Sequence, residues 1–242
     1  MQYYFVTKKD NQFQLSKEDF HHIKNVMRLK EKDQFVCIYD KKNYLCTIHY
    51  VKDSYFIEVL QEILTTKELP LSIELYQAVI KNDKMDWVIQ KATEIGVSAI
   101  IPLVTKRCVV KVETAKQDAK LVRYQKIIKE ACEQSHRSTM PTLSSFTNLD
   151  DLVLKKDTLG VVAYENQKEQ LDWTTLLKKH PYQKVAIVIG PEGGFEKEEI
   201  ELLKQKGFLS ISLGHFILRS ETAALYTCSV FAHQIQNLKR EE

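Results

Sequence analysis

The chain has 242 residues, 44% of them apolar, enough to bury one large core or two unequal ones. Its five cysteines, Cys37, Cys46, Cys108, Cys132 and Cys228, are odd in number and form neither a CxxC pair nor a Cys/His quartet of zinc spacing, so neither a disulfide framework nor a metal site is expected. The opening MQYYFVTKKD shows no basic stretch followed by an apolar run, no segment reaches the roughly 20 apolar residues of a membrane helix, and the net charge is only +3; a cytoplasmic protein is expected.

Alternating apolar residues predict short strands at Tyr3 to Thr7, Gln34 to Tyr39, Tyr44 to Val51 and Tyr55 to Leu60, with Asp40-Lys41-Lys42-Asn43 as a turn. One helix, from about Lys17 to Arg28, interrupts them. Several short strands in so small a region suggest a compact β-barrel over residues 1–70, with Lys67-Glu68-Leu69-Pro70 as its exit. His21 and His22 are adjacent on that helix, face different ways and have no carboxylate or cysteine cluster beside them, so they are read as neither ligands nor acid–base groups.

Beyond Pro70, strand and helix signals alternate, the pattern of an α/β domain with a largely parallel sheet over residues 71–242. Leu71 to Ile80 is the first strand. Asn82 or Asp83 caps a helix with Met85, Val88, Ile89, Ala92 and Ile95 at helical spacing, and Gly96 ends it. Val97 to Val104 is a second strand, followed by a helix from about Ala115 to Gln134 that buries Leu121, Ile127, Ile128 and Ala131. Strands follow at Gly160 to Glu165 and Val185 to Ile189, then a helix from Lys197 to Lys206 ended by Gly207. Lys155 to Pro181 is polar and carries few signals.

Charge is unevenly placed. Thr105 to Met140 holds nine Lys or Arg against four Asp or Glu, an excess of five and larger than that of the whole chain. A basic segment of this kind is either a solvated helix face or a nucleic-acid footprint, and charge alone does not choose.

Glycine points to the chemistry. All seven glycines lie after residue 95. Val185 to Phe195 reads as a buried strand running into Gly190-Pro191-Glu192-Gly193-Gly194, a loop that lets backbone groups approach a ligand with no side chain between. It matches neither GxGxxG nor the Walker pattern, and its glutamates would repel phosphate, so a neutral or cationic small molecule suits it better than a dinucleotide or triphosphate. The alternative is a tight turn plus helix cap with no ligand. A second glycine opens Leu213-Gly214-His-Phe216-Ile217-Leu218-Arg219-Ser-Glu221, between a short strand and a last helix burying Ala224, Cys228, Phe231 and Ile235, with Ser220 or Glu221 as its cap.

Together, Gly-Pro-Glu-Gly-Gly-Phe and, about twenty residues on, Leu-Gly-x-x-Ile-Leu-Arg-x-Glu-Thr-Ala resemble the RsmE family of 16S ribosomal RNA (uracil-N3) methyltransferases in the SPOUT superfamily. His21 to Leu29, Lys81 to Gly96, Lys106 to Lys111 and Arg123 to Arg137 resemble the same family, so the likeness runs nearly end to end. It implies a PUA-like RNA-binding barrel, an α/β methyltransferase domain threaded into a trefoil knot, S-adenosylmethionine as cofactor, a homodimer, and 16S RNA or the 30S subunit as partner. Two alternatives stay open: a catalytically silent RNA-binding protein, and a sister enzyme acting on transfer RNA or a ribose hydroxyl.

By resemblance, the cofactor site comprises Tyr164, Glu165, Gly190, Pro191, Glu192, Gly193, Gly194, Leu213, Gly214, Phe216, Ile217 and Leu218. Arg219 would stabilise the negative charge of the attacked base, the alternative being a salt bridge to Glu221 or to the knot; Glu221 would act as a base, as a helix cap or by orienting Arg219. RNA contacts would be Arg28, Arg107, Lys111, Arg123, Gln134, Ser135 and Arg137. His136 departs from the family pattern, which has a small residue there, often glycine.

Overall fold

The computed structural model describes residues 1–52, 54–64, 68–111, 113–165, 176–177 and 182–238. The chain forms two compact units, Met1–Glu68 with Lys129–Met140, and Leu69–Ile128 with Pro141–Glu242. The expected boundary at residue 70 is therefore joined by a second crossing, because the end of the basic helix belongs with the first unit.

In the first unit, β1 (Tyr3–Phe5) runs parallel to β4 (Gln34–Tyr39), which pairs antiparallel with β5 (Lys42–Val51), itself paired with β6 (Ser54–Ile63). A separate ribbon joins β2 (Thr7–Lys9) to β3 (Gln12–Gln14), a strand too short for its alternation to register in the sequence. The expected four-residue turn at Asp40 is a two-residue hairpin turn. Asp40 and Lys41 have φ of 48° and 61°, while Lys42 and Asn43 already pair in β5. Tyr4, Phe13, Phe35, Cys37, Cys46, Ile48 and Ile57 fill this unit's core, with Ile23 from the helical segment.

That segment is not one regular helix. The Ser16 hydroxyl accepts from the Asp19 amide and opens α1 (Lys17–His21), which widens into a π-helical turn over His22–Val26. Arg28 then takes φ of 53° and ends it. The His22 ring is held at 2.8 Å by the Tyr4 hydroxyl.

In the second unit every pairing is parallel, in the order β10 (Thr147–Asn148), β8 (Ala99–Val104), β7 (Ser72–Ala78), β12 (Lys184–Ile189), β11 (Thr158–Ala163), β13 (Leu209–Ile211), with β9 (Thr142–Leu143) also on β8. The central strand β12 is covered on both faces and so reads as a near-continuous apolar run. On one side, α2 (Asn82–Ile95) packs against the last helix, α5 (Ser220–Leu238), which also packs on β7 and β12. Met85, Val88, Ile89, Ala92, Ala224, Cys228, Phe231 and Ile235 are fully buried there, the larger of them contributing about 1.5–3 kcal/mol each. On the other side, Ile200 and Leu203 of α4 (Lys197–Gln205) join Phe195, Phe208, Leu149 and Leu152 over Val162, Ala186 and Val188.

The expected N-cap of α2 is corrected. The residue before α2 is Lys81, which makes no side-chain cap bond, and Asn82 and Asp83 lie inside the first turn; Gly96 ends the helix as expected, at φ of 110°. The basic helix α3 (Thr114–Ser135) buries Tyr124, Ile128, Ala131 and Cys132, while Leu121 and Ile127 are only half-buried. Most of Lys155 to Pro181 lies outside the described residues. No helix among the described residues is long and apolar enough to cross a membrane.

Candidate active site

A cleft of about 290 Å³ opens at the carboxyl ends of β11, β12 and β13, where an open parallel sheet places its ligands. Its walls include Tyr164, Glu165, the Gly190–Gly194 loop, the Leu213–Leu218 loop and Ser220. All twelve residues expected at the cofactor site line it, although they come from three segments of the chain.

Backbone geometry explains the glycines. Gly194 has φ of 68°, and a Cβ there would lie 3.1 Å from a Glu165 carboxylate oxygen. A Cβ on Gly190 would meet the Phe195 ring at 3.0 Å. Gly214 has open space around it but φ of 113°, so its requirement is conformational alone.

The first loop is held from outside by the turn that follows β8. Arg107 donates through Nε to Glu196 and through a terminal nitrogen to the Gly193 carbonyl, both at 2.8 Å. Its hydrogen bond holds the Glu196 carboxyl below the usual carboxylate range. Beside it, the Lys106 amide donates to Glu199 at 2.8 Å, and Glu199 closes a reciprocal capping box with Glu196 at the start of α4. Arg107, expected as an RNA contact, thus has its guanidinium engaged by the first glycine loop and Glu196.

At the second loop, Arg219 stands immediately before α5, and its carbonyl accepts from the Ala223 amide. Its side chain is exposed, and among the described residues the guanidinium has no hydrogen-bond or ion-pair partner. The alternative salt bridge to Glu221 is not formed. Glu221 is paired instead with Lys84 of α2 at 2.9 Å. Burial pushes the Glu221 carboxyl up, but the Lys84 hydrogen bond, its own backbone amide and the charges of Lys84 and Arg219 outweigh it and hold the group below the usual range. Such a carboxylate is a poor proton acceptor near neutral pH and a good anchor.

Nor does Ser220 cap the helix with its side chain. It is the first helical residue, and its hydroxyl donates to the Gly190 carbonyl at 2.5 Å, satisfying a half-buried acceptor that no strand reaches. Sequence reading missed Lys84 altogether; a lysine in the first turn of a helix carries no signal of the partner it meets.

The remaining basic residues are placed as follows. Arg28 and Lys111 are exposed, and Arg123 is exposed but ion-paired with Asp86. Gln134 is exposed, and the Ser135 hydroxyl bonds back to the Ala131 carbonyl at 2.7 Å. Arg137 is corrected as a surface contact: it is buried and donates to Glu68 at 2.7 Å, because a guanidinium this enclosed needs an anion. Next to it His136, where a small residue is expected by resemblance, takes φ of 61° and stacks on Tyr3 with ring centroids 3.9 Å apart.

This arrangement is that of an α/β enzyme whose small-molecule cleft is built from glycine-loop backbone, with an exposed arginine following its second loop. The description "RNA methyltransferase domain" matches residues 67–232, and "RNA methyltransferase PUA domain" matches residues 15–60. Ribosomal RNA small subunit methyltransferase E of Bacillus subtilis is 34% identical over the full length of both chains. A Legionella pneumophila methyltransferase solved with bound SAM is 34% identical, with a TM-score of 0.85 over 96% of each chain. Ribosomal RNA small subunit methyltransferase E of Neisseria gonorrhoeae, bound to S-adenosyl methionine, is 28% identical, with a TM-score of 0.85 over 96% of this chain and 97% of that one. The chain belongs to the ribosomal RNA small subunit methyltransferase E family of RNA methyltransferases.

Proposed function

We propose that this protein transfers a methyl group from S-adenosylmethionine to N3 of a uridine in the RNA of the small ribosomal subunit. One observation carries the reading: a cleft walled by glycine-loop backbone, with an exposed arginine that has no partner among the described residues following its second loop. The cleft suits this cofactor. It has carboxylates at Glu165 and Glu192 for a cation, no lysine or arginine among its described lining residues, and two positions, Gly190 and Gly194, where a Cβ would crowd the wall.

When bound, S-adenosylmethionine supplies an electrophilic methyl on a positively charged sulfur. The protein must align the acceptor base and manage its charge, and alignment is the larger contribution. A uridine imide nitrogen is a weak nucleophile until its proton leaves, and the charge then spreads onto two carbonyl oxygens. Arg219, always charged and with several donors, is placed to stabilise those oxygens. Glu221, held as a carboxylate by Lys84, anchors the first turn of α5 from which Arg219 projects.

The assignment extends to residues 1–70 as a PUA-like RNA-binding domain and 71–242 as the methyltransferase domain. Arg28, Lys111 and Arg123 supply phosphate contacts, Gln134 and Ser135 supply polar ones, and the active form is a metal-independent cytoplasmic homodimer. The test is transfer of labelled methyl from S-adenosylmethionine to 30S subunits and to free 16S RNA from cells lacking this gene, followed by nucleoside analysis. 3-Methyluridine is the expected product. Cofactor binding with no methylated nucleoside would sink the substrate assignment.

A further inference from the structure

Gln77 is fully buried near the end of β7. A primary amide removed from water is costly unless its donors and acceptor are met. Here the donor side is met and the acceptor side is not: Nε2 donates to the Ala78 carbonyl at 2.9 Å and to the Ser220 hydroxyl at 3.0 Å, while Oε1 has no partner among the described residues. With the amide turned the other way, its oxygen would face the Ala78 carbonyl, acceptor against acceptor. The orientation is therefore determined by the protein's own groups.

The Ser220 hydroxyl has a single hydrogen, and it goes to the Gly190 carbonyl. The three groups form a one-way relay in which the Gln77 amide donates to the Ser220 hydroxyl and that hydroxyl donates to the Gly190 carbonyl. Serine at the start of a helix ordinarily spends its oxygen on the helix's own amides. This one reaches thirty residues back along the chain.

The relay ends at both loops of the cleft. Gly190 is the residue at which β12 gives way to the first loop, and Pro191 follows it. Ser220 follows Arg219 and begins α5. The peptide plane opening the first loop and the helix start presenting Arg219 are thus tied to one buried amide on a strand that touches neither loop's tip.

We propose that Gln77 is a positioning residue of the methyl-transfer site, acting through Ser220 to hold the Gly190 carbonyl and Arg219 in register. The proposal rests on the reading of the cleft as the S-adenosylmethionine site. Catalysis by alignment is sensitive to such placement, since errors near 1 Å cost on the order of a hundredfold in rate.

The test compares wild type with Gln77→Met, which keeps the side chain's length and removes its donors, with Ser220→Ala, with the double variant and with Ser220→Thr, which keeps a hydroxyl. Leu203→Ala, in the core on the far side of the sheet, is the control for lost stability. S-adenosylmethionine affinity is read by calorimetry, turnover at saturating cofactor by methyl transfer, and stability by thermal melting. Gln77→Met and Ser220→Ala are each expected to weaken cofactor binding and lower turnover by about tenfold, with the double variant no worse than either single one and Ser220→Thr largely rescued. Leu203→Ala is expected to lower the melting temperature without those losses. Ser220→Ala is the smaller change and keeps the test decisive if Gln77→Met folds poorly. Wild-type affinity and turnover in both single variants, or additive losses in the double one, would overturn the proposal alone. A wild-type protein that bound no S-adenosylmethionine would overturn the cofactor reading and the proposal with it.

Discussion

Lys84 and Glu221 meet at 2.9 Å between α2 and α5, and the pair leaves Arg219 without the carboxylate nearest to it in sequence. Because the Glu221 carboxyl is held below its ordinary range in the folded chain, the stability it contributes is present above the unfolded carboxylate pKa. That stability is lost as pH falls through the lowered folded value. Glu221→Gln should be less stable than wild type by about 1 kcal/mol near neutral pH, a modest figure because water reaches Lys84. Urea midpoints measured from neutral to acidic pH should show the gap closing.

Arg219→Ala should lower turnover by about a hundredfold or more while cofactor affinity stays within about threefold, as expected for a group that meets charge appearing only during reaction. Equal loss of both in calorimetry and methyl-transfer kinetics would instead make Arg219 a structural residue.

Arg107 bridges an acidic side chain and a loop carbonyl, a task that suits a planar fork and not a point charge. Arg107→Lys should therefore weaken S-adenosylmethionine binding almost as much as Arg107→Ala does. Full rescue by lysine would mean that only the positive charge matters there.

Gly194 and Gly214 both have positive φ, but only Gly194 is also crowded, by Glu165. Gly214→Ala should cost about 1–2 kcal/mol of backbone strain, seen as reduced cofactor affinity, and Gly194→Ala should cost more. In a double-mutant cycle, the cost of Gly194→Ala should be smaller in a Glu165→Ala background than in wild type, and the cost of Gly214→Ala unchanged.

Arg137 and Lys111 should separate stability from RNA binding. Arg137→Ala leaves Glu68 without its partner and should destabilise the fold by about 2–4 kcal/mol in urea titrations. Lys111→Ala should leave the urea midpoint unchanged and reduce the slope of log affinity for RNA against log salt by about one.

The sequence by itself determined most of the elements and the glycine loops that line the cleft. Buried strands announce themselves as apolar runs, and α2 and α5 through Met85, Val88, Ile89, Ala224, Cys228 and Phe231 at helical spacing. A glycine required at positive φ, as at Gly194 and Gly214, is also legible, because the constraint is local. Irregularities were not. The π-helical turn at His22 and the short β3 depend on contacts that no periodicity carries. Only the tertiary structure decided what each polar side chain meets: Arg107 on the first glycine loop, Lys84 on Glu221, Arg137 on Glu68, and Gln77 on Ser220 and through it Gly190. The physical reason is that periodicity records which face of an element leaves water. The partner of a hydrogen bond or ion pair is settled by segments that come together only when the chain closes on itself.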